Sequence, residues 1–382
     1  MEHRRLSLSD IAIGEPLPWD VYGEGKTLLL RRGHVLQSAG QVESLLQRGL
    51  FVDAALLDGG HKRKDLQAQQ ARRETPSALR FINLANKRLE RLLYNLANES
   101  DAASKILEVA KALSYAVDTN ADVALSSVLL NQQAGSYAIR HSVDSALLAL
   151  LIARSMRKSQ EEIQFIMAAA LTMNIGMLRQ HDLLRDKQTP LTEPEQNLIK
   201  SHTKTSVDLL AQAGITQPEW LEYVALHHEN DNGSGYPFGK KLADIPQNAK
   251  IVSLADRYCA CVTQRAYRKT LLPNAALRDV LLNGGKPGDP MLAAYFIKEI
   301  GTYPPGCFVR LQNGEIGVVT RRTKDAAAPV VHAFVGPRGA PLSFPIQRDT
   351  TKELYAIREL LPPEQATLRF SMQQLWGDEA AL

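Results

Sequence analysis

From about Asp122 to Glu299 the chain reads as helix after helix, and this feature limits the fold more than any other. Stretches such as Ser145–Met156, Ile163–Met173 and Glu195–Ala213 carry apolar residues at helical spacing, with Pro and Gly turns between them and no convincing strand. Each amphipathic helix must bury its stripe on its neighbours, so residues 121–300 predict an all-α domain. On either side the pattern changes. Residues 1–60 carry short β-like runs such as Thr27-Leu28-Leu29-Leu30 between glycine turns, then a helix-like stretch Ser38–Gln47 ending at Gly49, and predict a small α+β domain. Residues 61–120 read as a helical connector with Leu89, Leu92, Leu93 and Leu96 on one face. That stripe suits pairing with a second copy in a homodimer, and it equally suits packing on its own domain. The basic run His61-Lys62-Arg63-Lys64, with Arg72-Arg73, reads as solvated linker. After Gly301, the runs Cys307–Leu311, Ile316–Thr320 and Val330–Val335, separated by Asn313-Gly314 and a loop near Asp325, predict a small β appendage over 301–350. A polar, helix-like tail occupies 351–382. The expected fold class is mainly α.

Composition excludes several functions. The 382 residues are 45% hydrophobic and 23% charged, an ordinary globular balance. A formal charge of +4, from 45 Lys+Arg against 41 Asp+Glu, is spread along the chain and offers no broad phosphate-backbone surface, so DNA and RNA are not expected partners. The longest apolar stretch, Ala146–Ala153, falls short of the roughly 20 residues a membrane span needs, and no apolar signal region follows the N-terminus. Three cysteines, Cys259, Cys261 and Cys307, are too few and odd in number for a disulfide framework, so a cytoplasmic location is expected.

The chemistry concentrates in the helical domain, where His141, His202, His227 and His228 are joined by Asp256. Imidazoles and carboxylates gathered from several helices are how bundles build mononuclear and dinuclear sites, whose metals activate water for attack on phosphate. The pair His227-His228 runs directly into Glu229 and then Asn232-Gly233-Ser234-Gly235-Tyr236-Pro237. Two glycines and a proline favour a tight turn that carries backbone close to the histidines.

At this loop the sequence resembles the HD-GYP family, metal-dependent phosphodiesterases of the HD superfamily that open the bacterial second messenger cyclic di-GMP. The string HHENDNGSGYP is close to the family's HHExxDGxGYP. The resemblance continues through IPQNAKIVSLADRYCACVTQRAYR and, upstream, PLTEPEQNLIKSHTKTSVDLL, and covers Tyr137 to roughly Glu299. It implies an HD-superfamily helical bundle, with His141 and Asp256 at one metal position and His202, His227 and His228 at the other. It also implies Arg265 and Arg268 as phosphate contacts, arginine's planar fork suiting phosphate oxygens. Tyr236 is expected to contact substrate, or with Gly233, Gly235 and Pro237 to form a docking loop.

The dyad that names the superfamily is missing. Where the family reads HDIGK, this chain reads Met173-Asn174-Ile175-Gly176-Met177. A thioether is poorly suited to a hard or borderline metal beside imidazoles, and neutral Asn cannot supply the bridging anion that two divalent charges require. Asn232 and Cys259 stand where the family has Asp, and Tyr137 stands where some members have Glu. His181-Asp182 is a literal His-Asp pair but lies about two helical turns beyond the dyad position, and is set aside as a substitute. Three imidazoles suffice for one ion. The expectation is therefore a cytoplasmic bacterial signalling protein retaining one divalent transition metal, iron, manganese or zinc, rather than a dinuclear centre. It would act without hydrolysis, by binding cyclic di-GMP or by docking a partner such as a diguanylate cyclase. The alternatives are an active phosphodiesterase and a protein-interaction scaffold.

Overall fold

The computed structural model describes residues 75–382 apart from 132–134, 264–269, 283–288 and 367–369; before residue 75 it describes only 3–5, 17, 19–23, 27–36, 41 and 51–53. The helix-like stretch Ser38–Gln47, apart from Gln41, and the basic runs at 61–64 and 72–73 lie outside the described residues.

The chain divides into two compact units, 1–75 and 76–382. The first holds a four-stranded sheet of order β1-β4-β2-β3, built from β1 (His3–Arg5), β2 (Val21–Tyr22), β3 (Leu28–Leu30) and β4 (Phe51–Asp53). Among its described residues, Leu17, Trp19, Val21, Leu36 and Val52 are buried apolar side chains.

The second unit is predominantly helical. In chain order it contains α1 (Ala78–Tyr94), α2 (Ala102–Thr119), α3 (Ala121–Leu130), α4 (Tyr137–Ser155), α5 (Gln160–Thr172), α6 (Leu178–Asp186), α7 (Glu193–Gln212), α8 (Pro218–Leu226), α9 (Gln247–Val262), α10 (Pro273–Leu281) and α11 (Pro290–Ile300). Starts follow capping chemistry. The Ser77 hydroxyl accepts from the Arg80 N–H ahead of α1, Ser159 and Glu162 form a reciprocal capping box at α5, and Asp289 caps α11 just before Pro290. Burial on all sides from Tyr137 to Ala153 makes α4 the axis of the bundle, with α5 and α9 packed against it.

The leucine stripe of residues 61–120 turns inward. Leu89, Leu93 and Leu96, with Ile106, Val109 and Leu113 of α2, share one continuous core with α4, α5 and α9. Most of these helices' stability comes from this tertiary packing of an apolar face rather than from intrinsic helix propensity.

A five-stranded antiparallel sheet of order β8-β7-β6-β5-β9 follows: β5 (Phe308–Leu311), β6 (Ile316–Arg321), β7 (Val330–Val335), β8 (Pro341–Asp349) and β9 (Ile357–Leu361). Residues 351–382, expected as a helix-like tail, instead contribute β9, which pairs with β5, before the short helices α12 (Pro363–Ala366) and α13 (Met372–Trp376). The Arg322 guanidinium, bonded to Asp122 at 2.7 Å and to the Glu299 carbonyl at 2.7 Å, ties the sheet to the bundle. No helix among the described residues is long and apolar enough to cross a membrane. Cys259, Cys261 and Cys307 are buried and form no disulfide.

Candidate metal centre

The burial of α4 carries His141 into the middle of the bundle, only 3% exposed. Its Nε2–H donates to Asp256 Oδ1 of α9 at 2.7 Å. Burial pushes the Asp256 carboxyl up, but the hydrogen bond and charge of His141, with His228 and His227 nearby, override this and hold it well below the usual carboxylate range. The His141 Nδ1, also buried, has no hydrogen-bond partner among the described residues.

The second group is three histidines with no carboxylate among them. His202 of α7 and His227, which closes α8, are both fully buried. His202 Nδ1 lies 2.6 Å from the Ile199 carbonyl and His227 Nδ1 lies 2.7 Å from the Val224 carbonyl. A carbonyl only accepts, so both Nδ1 atoms must carry the proton, and a neutral imidazole has only one. Both Nε2 atoms are therefore lone pairs, and they face each other at 3.3 Å. Opposed lone pairs at that distance call for a cation between them. A proton is poorly suited, because burial drives His202 down to about 4 and lowers His227 as well. Half-buried His228 adds a third ring, its centroid 4.1 Å from that of His227 and 5.1 Å from that of His202, and burial lowers it too. One ligand atom from each histidine lies within 4.8 Å of the others. Three imidazoles, two of them with the outer nitrogen fixed by a carbonyl, are a donor set that fits zinc or another borderline divalent metal.

The loop after His228 closes over this group. The Tyr236 ring lies 4.7 Å from His228 and 6.4 Å from His202. Burial raises the Tyr236 phenol, which stays protonated and able to donate. Glu229, itself buried, accepts from the Phe238 and Lys240 N–H groups at 2.7 and 2.9 Å, and the Tyr236 N–H donates to the His228 carbonyl at 3.2 Å. A Cβ on Gly235 would lie 2.4 Å from Asn230 N and 2.5 Å from both Glu229 Cα and the His228 carbonyl oxygen. All three are backbone atoms, so only glycine lets the loop seat here. Gly233 takes φ +80° where Asn232 Oδ1 accepts from the Ser234 N–H at 2.9 Å. Pro237 completes the turn.

Met173 and Asn174 close α5 directly against α7. Met173 is fully buried, and its carbonyl accepts from the Ser206 hydroxyl at 2.8 Å, which in turn accepts from the Gly176 N–H at 2.9 Å. A Cβ on Gly176 would meet the His202 carbonyl oxygen at 2.4 Å, so the segment sits on the very turn that carries His202. Asn174 is 2% exposed, and neither end of its amide has a hydrogen-bond partner among the described residues. Arg265 and Arg268 lie outside the described residues.

His181 and Asp182 fall nearer the site than their spacing suggested. The His181 ring lies 5.5 Å from His141 and 5.1 Å from Tyr137, over which the Arg185 guanidinium sits at 4.9 Å. Asp182 Oδ1 accepts from the Ala138 N–H at 2.8 Å and so caps the start of α4. Neither residue joins the three-histidine group. The available signal was the spacing Leu178, His181, Leu184, a buried stripe inside a polar stretch.

Residues 81–292, more than half of the chain, match the HD domain family. A Pseudomonas aeruginosa protein named cyclic di-GMP phosphodiesterase PA4108 is 29% identical over 192 residues, covering 50% of this chain and 46% of its own. The cyclic di-GMP phosphodiesterase response regulator RpfG of Xanthomonas campestris is 33% identical over 144 residues, 37% of either chain. The chain thus spans less than half the length of these relatives. Among solved structures, the HDG"Y"P protein Bd1817 of Bdellovibrio bacteriovorus superposes with a TM-score of 0.50 at 17% identity, covering 78% of this chain and 99% of that one, a likeness of fold. With the Gly-Tyr-Pro loop seated on its histidines as described, the chain belongs to the HD domain family, in its HD-GYP branch.

Proposed function

We propose that this chain is a bacterial cyclic di-GMP signalling protein whose HD domain holds a single divalent ion and binds the dinucleotide without hydrolysing it. The observation that carries the reading is the contrast between the two halves of the centre. His202 and His227 face each other as unprotonated lone pairs and need a cation, whereas the Nε2 of His141 is already engaged with Asp256 in a 2.7 Å hydrogen bond. Met173 and Asn174, standing where the family has its His-Asp dyad, offer the first position neither an imidazole nor an anion. A metal held by His202, His227 and His228 would supply a positive charge and a Lewis acid for a phosphate oxygen. Around it, Tyr236 offers a phenolic donor to the ligand, the buried carboxylate of Asp256 stays charged, and Glu229 holds the loop in place. The names of the relatives support cyclic di-GMP as the ligand, and Arg265 and Arg268 are proposed as its further phosphate contacts. Protein docking through Gly233, Gly235, Tyr236 and Pro237 would transmit the bound state.

The test is incubation of purified protein with cyclic di-GMP and excess manganese or anaerobic ferrous iron, followed by chromatography of the products and, separately, equilibrium binding. Saturable binding with intact dinucleotide is the expected result. Linear dinucleotide or GMP that disappears in His227→Ala would establish the active phosphodiesterase instead, and no binding at all would favour the interaction scaffold.

A further inference from the structure

A cavity of about 760 Å³ opens between α1 and the start of α4, and no residue of the Gly-Tyr-Pro loop lines it. Its size falls in the range of small-molecule sites. One polar stripe of α1 lines it: Arg80, Asn83, Asn86, Lys87 and Glu90, spaced so that they share a face over about 15 Å of helix. Ile139 of α4 and Leu84 add apolar wall.

The informative residue is Asn86. It is 5% exposed, sits beside the apolar core stripe Ile82, Ala85 and Leu89, and has no hydrogen-bond partner among the described residues at either its amide nitrogen or its amide oxygen. A buried amide with both ends unmet costs stability, and in a native structure such a group calls for an explanation. Its neighbour Asn83 bonds to Asn131 instead, its amide oxygen accepting from Asn131 Nδ2 at 2.8 Å. A carboxamide presents one donor beside one acceptor, the complement of a purine edge. The cations of Arg80 and Lys87 along the same rim complement a phosphate, and the apolar wall suits the flat face of a base.

We infer that this cavity is a second ligand site that takes a purine mononucleotide, its base edge paired with Asn86 and its phosphate held by Arg80 and Lys87. The inference is independent of the metal centre, although the two are structurally adjacent: Gly135 and Ile139 wall the cavity at the start of the helix whose next turn carries His141.

Isothermal titration of the full chain with GMP and with AMP tests it, using inorganic phosphate as competitor. One nucleotide per chain should bind, with the same affinity after chelator treatment, and at least tenfold more weakly in Asn86→Leu and in Lys87→Glu. Asn86→Leu replaces an unpaired amide with an apolar side chain of similar size; Lys87 is exposed, so its charge reversal tests the site even if the first variant does not fold. The inference is overturned if neither nucleotide saturates at millimolar concentration, if binding survives Lys87→Glu unchanged, if chelator abolishes it, or if phosphate alone competes as well as the nucleotides.

Discussion

Acidification should weaken the fold through His202 in a window set by its burial. The group titrates at about 4 in the folded chain against 6.5 for an unburied histidine. Between those values the unfolded chain binds the extra proton, so stability is complete above about pH 6.5 and falls as pH drops towards 4, below which this contribution no longer changes. At 1.36 kcal/mol per unit, the loss from His202 alone is about 3 kcal/mol, a large share of the 5–15 kcal/mol typical of a whole domain. His227 and His228 are shifted in the same direction and steepen the slope. Asp256 acts elsewhere: its carboxyl is held low, so its contribution is lost only as pH falls below the ordinary carboxylate value near 3.8. Urea unfolding of chelator-treated protein at intervals from pH 7.5 to 4 measures the slope, and His202→Gln isolates one histidine's part of it. The variant should be less pH-sensitive by about 3 kcal/mol across the window. Identical slopes in wild type and variant would refute the reasoning, because they would mean that His202 is protonated as readily in the folded chain as outside it.

Two further substitutions probe the site. Gly235→Ala places a methyl group 2.4–2.5 Å from three backbone atoms and should cost about 1–3 kcal/mol in urea unfolding while weakening zinc or cobalt binding at least tenfold; an unchanged metal affinity would show that the loop does not brace the histidines. Met173→His combined with Asn174→Asp should raise metal content from one ion per chain towards two, measured by elemental analysis after reconstitution; a content that stays at one would count against the assignment of these positions to the dyad.

How much of this was legible beforehand depends on where the signal lay. The three histidines could be grouped because their motifs occur in family order, and the helical character of residues 121–300 was plain from spacing. Their tautomers could not be foreseen, since these depend on which carbonyls, Ile199 and Val224, the rings meet after folding. The inward packing of Leu89 and Leu93 was equally hidden, because one apolar stripe serves a partner chain or its own core alike. Strand β9 was obscured by Arg358 and Glu359, polar residues on an exposed sheet edge, where Glu359 pairs across to Arg310 at 2.9 Å. His181 was discounted on distance along the chain, and the turn from α5 into α6 brings it back beside His141.

The most direct test of the central claim is the metal content of the purified full chain after reconstitution with zinc, manganese or ferrous iron and removal of excess, read by elemental analysis beside His227→Ala. One tightly held ion per wild-type chain, with none in the variant, is the predicted result. Two ions in wild type, or none, would contradict a single-ion centre built on His202, His227 and His228.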